Sequence, residues 1–321
     1  MKQDISALAE QMILETEKII VGKRAQIELI VTALFAEGHL LLDDLPGVGK
    51  TTLVKTLAIV TGCDSRRIQF VPDLLPSDIT GMNVYNQKTG EFQLFRGPVA
   101  TNILLADEIN RAIPRTQAAL LEAMEERQVT IDGETIPLPK PFIVMATQNP
   151  VESESTFALP AAQMDRFLIR LSLGYPDAGE ERQMLGILGD AIPFSEVKAV
   201  TYADELSEIQ KDLKEIYLSD AVAGYIVDLV RGTREHPLIR MGASPRASRG
   251  LYKAAKAWAA MQGRTFVTPD DVQKLAVPVL AHRLMLTNEA RLAGKSPEGF
   301  VEDIVGRTAV PPVRGDLFHG R

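Results

Sequence analysis

The sequence predicts an α/β fold: a three-layer core built on a parallel sheet, followed by a smaller all-helical domain. Three observations carry this. Dense apolar runs of strand length alternate with helically spaced segments through the first half of the chain. One of these runs, His39 to Asp43, passes through a Pro/Gly turn straight into a helical pattern, the shape of a phosphate-binding strand–loop–helix. After Tyr175 and Pro176 the strand-like runs stop and helical patterns follow. The expected division is therefore 1–175 for the core and 176–321 for the helical domain, with residues 174–177 as the hinge.

In chain order, residues 4–20 and 24–36 carry apolar positions at helical spacing. His39 to Asp43 is apolar on both faces, as a parallel strand covered by helices should be. Thr51 to Thr61 reads as helix. Further strands are expected at Arg67–Val71, Asn102–Asp107, Pro141–Thr147 and Phe167–Leu173. Two segments interrupt this rhythm. Asn83 to Phe95 alternates around Thr89-Gly90, and Gln128 to Leu138 alternates around Asp132-Gly133, so each reads as a hairpin. Taken alone, either is read equally well as an edge hairpin of the sheet or as a projection that touches something else. Beyond residue 177, helices are expected over 178–188, 203–214, 219–233, 246–262 and 269–283. Ser219 before Asp220, and Thr268-Pro269-Asp270-Asp271, are helix starts with a capping residue and Pro or acid in the first turn. Gly306 to Arg321 is rich in Pro and Gly and expected to be irregular.

Composition narrows the function. Of 321 residues, 45% are hydrophobic and 24% charged, which is ordinary for a globular protein of about two domains. No apolar run approaches the roughly 18 to 20 residues of a membrane span, and the acidic, amphipathic N-terminus lacks the order of a signal peptide. A cytoplasmic location is expected. A lone cysteine, Cys63, cannot form an internal disulfide and reads as a small buried hydrophobe. The net charge of −7 argues against a surface that is broadly a nucleic-acid platform.

The chemistry lies in two segments. In the first, Asp44-Leu45-Pro46-Gly47-Val48-Gly49-Lys50-Thr51-Thr52 follows the strand. Gly47 and Gly49 let backbone amides converge on phosphates, Lys50 brings a point charge to the β and γ phosphates, and Thr51 offers a hydroxyl to magnesium. The usual pattern has glycine where this chain has Asp44, and an acid there is unfavourable beside phosphates unless it points away. The second segment is the apolar run Ile103 to Ala106, which ends in Asp107 and Glu108. Asp107 suits magnesium, held through water, and Glu108 is placed to activate the attacking water. Together the segments predict binding of ATP with Mg2+ and its hydrolysis. Asn149 follows the strand ending at Thr147, at the sheet edge where ligands bind, and suits the γ-phosphate or the water. Arg166 closes a short helical pattern before the strand at Phe167, and reads as a surface ion pair or as a finger reaching a neighbour's γ-phosphate. Arg246 falls in the first turn of a helix capped by Ser244, where the helix dipole disfavours a cation unless an anion compensates.

These residues resemble the MoxR family of AAA+ ATPases. The likeness is carried by Asp43 to Thr51, by the run from Ala106 to Gly133, by Ala146 to Pro150, by Leu159 to Phe167 and by Gly242 to Ala247, in the family's order and over residues 20–283. The resemblance implies a P-loop AAA+ core and a helical lid with a nucleotide at their junction. It implies Val21 and Gly22 near the adenine, Asn149 as sensor 1, Arg246 as sensor 2, and Arg166 as an arginine finger acting in trans. It implies a homo-oligomeric ring, usually a hexamer, with the two hairpins as helix-2 insert and pre-sensor hairpin. Arg111 and Arg115 would lie near the subunit interface. Chaperone-like remodeling or maturation of protein complexes is the implied activity, often alongside a partner with a von Willebrand factor A domain. Two other functions compete: a motor on nucleic acid, against which stands Lys88 as the single basic residue of the two hairpin stretches, and a nucleotide-gated scaffold with little turnover, against which stands the Asp107-Glu108 pair. A metal-chelatase motor subunit is a close cousin of the remodeling reading.

Overall fold

The computed structural model describes residues 4–44, 47–148, 157–189 and 192–312. Helices α1 (Ile5–Glu17) and α2 (Arg24–Phe35) precede β1 (Leu40–Asp43), which leads into α3 (Lys50–Thr61). Next come β2 (Ser65–Gln69), α4 (Pro76–Thr80), the hairpin of β3 (Gly81–Asn86) and β4 (Glu91–Arg96), and β5 (Ile103–Asp107). Then follow α5 (Pro114–Glu126), the hairpin of β6 (Gln128–Ile131) and β7 (Glu134–Pro137), β8 (Ile143–Gln148), α6 (Ala161–Met164) and β9 (Ile169–Leu171). The later part holds α7 (Ala178–Leu188), α8 (Ala203–Asp212), α9 (Asp220–Glu235), β10 (Ile239–Met241), α10 (Pro245–Met261), α11 (Pro269–Leu280), β11 (Met285–Leu286), α12 (Asn288–Leu292) and α13 (Pro297–Arg307).

Strands β2, β5, β8, β1 and β9, in that order across the sheet, form one five-stranded parallel sheet. The central strands are buried on both faces, which is why they read as unbroken apolar runs. The two edge strands are less legible. β2 begins two residues earlier than its apolar run, because at the edge Arg66 and Arg67 stay exposed while Ile68 alone is buried. β9 is only Ile169–Leu171 of the longer stretch expected. One face of the sheet packs Leu41, Leu104, Ala106, Val144 and Ala146 into a core with Ile79, Leu120, Leu121 and Met124 of α4 and α5. His39 pins the start of β1 to this core. Its Nδ1 accepts from Val144 N at 2.9 Å and its Nε2 donates to the Met124 carbonyl at 3.0 Å, the neutral tautomer that both bonds require. Cys63 is buried, and burial pushes its thiol pKa up, which suits a small packing residue.

By compactness the chain divides into Met1–Lys211 and Asp212–Arg321. The strands of the large sheet nevertheless end before the boundary expected at 175/176. The segment between stays with the first unit because of specific bonds. Val200 N donates to the Val60 carbonyl, Lys198 N to Glu15, and Gln210 Nε2 to the Leu34 carbonyl.

The second unit is mainly helical but not wholly so. β10 and β11 pair antiparallel, Ile239 with Leu286, a small ribbon that the expectation of helices alone did not include. Three residues and two are too few for alternation to show in the sequence. Helices α12 and α13 were also missed. α13 runs to Arg307, into the stretch expected to be irregular, and its N-cap is Ser296, whose hydroxyl accepts from Gly299 N. Residues 308–312 carry no helix or strand, and the rest of the tail lies outside the described residues. Among the described residues no helix is long and apolar enough to cross a membrane.

Candidate nucleotide site

β1 delivers the chain to the carboxyl edge of the sheet, where open parallel sheets bind ligands. Gly47 and Gly49 adopt φ of +88° and +86°, a region costly to residues with a side chain. A Cβ on either would meet nothing within 4 Å, so both face open space. α3 starts at Lys50 with Gly49 as its N-cap and no side-chain capping bond. No side chain competes at its N-terminus, whose positive dipole end suits an anion. Thr51 and Thr52 are half-buried in that turn. Lys50 Nζ donates to the Asp44 carbonyl at 3.1 Å, at the mouth of the loop it is expected to serve.

Asp44 does point away. It is buried, and its carboxylate accepts from Ser172 Oγ at 2.6 Å, Leu173 N at 2.9 Å and Gly174 N at 3.0 Å. Its neighbour Asp43 pairs with Arg170 at 2.5 Å. Both acids of the loop entrance therefore bind β9 and the residues after it, which removes the repulsion that an acid would exert on phosphate.

The acidic pair sits on the same edge. The strand registers Gln69 with Asp107, Ala106 with Ala146, and Leu42 with Thr147 align the strand ends. Thr147 joins the two acids: its Oγ1 donates to Asp107 Oδ1 at 2.6 Å and accepts from Glu108 N at 2.8 Å. Arg67 Nη2 donates to Asp107 Oδ2 at 2.7 Å. Glu108 has φ of +55° and ψ of +51°, a left-handed conformation that costs a non-glycine residue on the order of 1 kcal/mol or more. Gln69 Nε2 and Arg111 Nη1 both donate to Glu108 Oε2, at 2.8 and 3.0 Å. Each acid is thus oriented by neighbours and neutralised in part by an arginine.

The donor set fits magnesium. The Thr51 hydroxyl and the Asp107 carboxylate are hard oxygens on the same strand-end edge, and few protein ligands suit an ion that keeps its waters. Asp107 and Thr51 would hold the ion, which when bound supplies charge neutralisation to the phosphates. No group of three or more His, Cys, Asp or Glu that could hold a metal ion lies among the described residues.

The remaining candidates divide. Asn149, Leu45 and Pro46 lie outside the described residues. Val21 is buried and Gly22 has φ of +72°, but the space over Gly22 is taken: a Cβ there would lie 1.9 Å from Glu180 Oε1. Arg166, just beyond α6, pairs with Glu125 of α5 at 3.2 Å. Among the described residues no hydrogen bond joins it to its own phosphate loop. It borders a cavity of about 520 Å³ lined by Leu121, Glu122, Glu126, Gln128 and Gln163, none of them from the phosphate loop. Arg111 turns toward Glu108, while Arg115 is exposed on α5.

In the second unit, Gly242 approaches the Thr233 backbone so closely that a Cβ would lie 2.6 Å from it. Ala243 N then donates to Thr233 Oγ1, and Arg234 Nε to the Ala243 carbonyl. This clamp places Ser244 as N-cap of α10, with its Oγ accepting from Arg246 N at 3.0 Å, so Arg246 stands exposed in the first turn as expected. No acidic residue shares that turn.

Sequence reasoning missed Arg67, Gln69, Thr147 and Ser172. A signal existed for two: Arg67 and Gln69 stand two apart on one strand and so share a face, and Arg67 Nη2 donates to Gln69 Oε1 at 2.9 Å. Thr147→Val should lower the unfolding temperature by leaving Glu108 N–H without a partner and Asp107 Oδ1 without its Thr147 donor, while Arg67 still holds Oδ2, a loss of about 1 to 3 kcal/mol. It should also raise the Mg2+ concentration needed for nucleotide binding; an unchanged Mg2+ dependence would show that Thr147 does not orient Asp107.

Comparison with known proteins agrees with this geometry. Residues 39–169 match the model of the ATPase family associated with various cellular activities (AAA), and residues 231–304 match an AAA lid domain. The chain is 47% identical to the uncharacterised protein YeaC of Bacillus subtilis, over 98% of each chain. It is 42% identical to Chaperone MoxR1 of Mycobacterium tuberculosis, over 95% of this chain and 82% of that one. It is 32% identical to Protein MoxR of Paracoccus denitrificans, over 84% of this chain and 86% of that one. A crystal structure from Cytophaga hutchinsonii superposes with a TM-score of 0.89 at 37% identity, covering 96% of both chains. The uncapped phosphate-loop helix, the acid pair at the end of β5 and these near-full-length similarities lead to one assignment: the chain belongs to the MoxR family of AAA+ ATPases.

Proposed function

We propose that the chain hydrolyses ATP to ADP and phosphate with Mg2+, within a homo-oligomeric ring, and uses the cycle to remodel protein clients. The observation that carries hydrolysis is the acid pair Asp107-Glu108. Both acids are built into the sheet edge by Thr147, Arg67 and Gln69, the edge from which the phosphate loop leads into α3. In this reading Lys50 and the α3 amides bind the phosphates, and Asp107 with Thr51 holds the metal. Glu108 takes the proton of the attacking water, Asn149 orients that water or the γ-phosphate, and Arg246 is assigned the sensor 2 role that the family resemblance implies. A hexamer is the expected ring, and a protein with a von Willebrand factor A domain is the expected partner, as the family resemblance implies.

The choice of a protein client over nucleic acid rests on the β3–β4 hairpin. It exposes Met82, Val84, Tyr85, Phe92, Leu94 and Phe95, with Phe92 73% accessible. Single exposed apolar residues are ordinary, but here each face of one short hairpin carries three of them, Met82, Val84 and Phe95 on one and Tyr85, Phe92 and Leu94 on the other, which suits contact with apolar protein segments. The base of the hairpin adds Arg96 to Lys88, and Glu91 offsets one of them, so no basic stripe is available for phosphate backbones.

The direct test is phosphate release from ATP. We expect release that requires Mg2+ and that falls at least about 100-fold in Lys50→Ala, a loss of roughly 2.7 kcal/mol in transition-state stabilisation. Full turnover in Lys50→Ala would refute the site, and a wild-type chain that binds Mg-ATP without releasing phosphate would favour the nucleotide-gated scaffold.

A further inference from the structure

Asp44 stands where phosphate loops of this type usually carry glycine, and its three bonds give it a task of its own. Leu173 N and Gly174 N are successive amides aimed at one carboxylate, with Gly174 at φ of +62°. Such consecutive amides form an anion-binding nest, and here the anion is supplied by the phosphate loop itself. Ser172 Oγ adds the third donor. The backbone carbonyl of the same residue receives Lys50 Nζ. One residue thus touches both the lysine that meets phosphate and the segment that leaves β9.

That segment continues to the other predicted end of the nucleotide. Lys23 Nζ donates to the Tyr175 carbonyl at 3.2 Å and to Glu180 Oε2 at 3.1 Å. Glu180 also forms the capping box of α7 with Asp177 and lies over Gly22. Residues 172–180 are therefore tied to the phosphate loop through Asp44 and to the Val21–Lys23 turn through Lys23.

We propose that Asp44 is a positioning residue: it couples the phosphate loop to residues 172–174, so that nucleotide occupancy is transmitted to the segment that opens α7. The proposal rests on the nucleotide-site reading above. Binding draws Lys50 from the Asp44 carbonyl toward phosphate. The loop then settles around its ligand with Asp44 anchored, and the nest and the capping box beyond it tighten. A glycine would allow the same turn but would leave the loop unlinked to this segment.

The test is amide hydrogen exchange over residues 171–181, with and without Mg-ADP, alongside ADP affinity by titration. In the wild type, ADP should slow exchange at Leu173 and Gly174 and through the first turn of α7. Asp44→Asn and Asp44→Gly should lose that nucleotide-dependent difference and bind ADP about tenfold more weakly, the scale of one lost charge-assisted interaction. Ser172→Ala removes one donor of three without touching the loop, and should give a smaller ADP effect in the same direction. If the Asp44 variants do not fold, Ser172→Ala decides alone. A purely structural role would raise exchange equally in both states. Wild-type affinity and an unchanged ADP-dependent difference in the variants overturn the coupling while leaving the site intact. Failure of the wild type to bind ADP overturns the site reading as well.

Discussion

Glu108→Gln is expected to bind Mg-ATP with affinity close to that of the wild type and to turn it over at least about 100-fold more slowly, the usual scale of a lost general base. The substitution keeps the shape of the side chain. A glutamine oxygen can still accept from Gln69 or Arg111, and the Glu108 N–H bond to Thr147 is untouched. Asp107 keeps both of its partners, so the expected metal seat survives. What disappears is the carboxylate that takes a proton from water. Equilibrium binding of a fluorescent ATP analogue and phosphate release, measured on one preparation, separate these effects. Unchanged turnover would remove Glu108 from its role. Equal losses of binding and turnover would instead indicate that the left-handed turn at Glu108 has collapsed, which Glu108→Asn, a side chain better tolerated there, would check.

The same variant is a trap for the client. Held in the ATP state, it should retain proteins that the wild type releases. Retention should fall when Phe92 and Phe95 are both changed to serine, since these are among the most exposed apolar side chains of the β3–β4 hairpin. Both lie on a hairpin away from the sheet core, so phosphate release should persist in the double variant. Retention that ignores the hairpin would move the client surface elsewhere, and retention of DNA that weakens with salt would favour the nucleic-acid motor.

How much of this was legible in the sequence depended on the range of the forces involved. Buried strands announce themselves through their own side chains, so β1, β5 and β8 were found within a few residues. So were the helices whose caps are local, such as α9 behind Ser219 and α11 behind Thr268. Both hairpins followed from Gly90 and Gly133, each at positive φ in the turn. The lost strands are those stabilised by distant partners, whereas α12 and α13 were missed despite their local caps Thr287 and Ser296. β10 and β11 pair across 44 or more residues between Met241 and Met285, and neither is long enough to show a pattern. The site divides in the same way. Lys50, Thr51, Asp107 and Glu108 form local motifs and were named. Their supports, Thr147 forty residues from Asp107 and Ser172 128 residues from Asp44, are ordinary polar residues until folding brings them together. Asp44 shows the limit best. The sequence marked it as a departure that had to point away, but only the tertiary structure supplies its three donors.

Arg166→Ala is expected to reduce turnover by roughly 1,000-fold or more, the range found when an arginine finger is removed, with ATP binding changed far less. Within one chain Arg166 is engaged with Glu125 on α5, a half-exposed pair of the kind worth about 1 kcal/mol or less. Such a pair is cheaply broken, so it positions the guanidinium without committing it. The side chain borders a cavity on the α5 face and not the phosphate loop of its own chain. In a ring built from identical head-to-tail contacts each contact joins two different surfaces, so Arg166 acts in trans if that face is the one that meets a neighbour's site. The decisive measurement mixes Arg166→Ala chains with Lys50→Ala chains, each inactive alone. A site with Lys50 from the first and Arg166 from the second is complete, and random mixing in equal amounts makes about a quarter of head-to-tail interfaces complete. Recovery of activity in the mixture, rising and falling with the mixing ratio, establishes action between subunits. If both variants assemble and exchange subunits yet no mixture recovers activity, Arg166 does not act in trans. The ion pair with Glu125 would then be its whole role, and Glu125→Ala should reproduce whatever Arg166→Ala does.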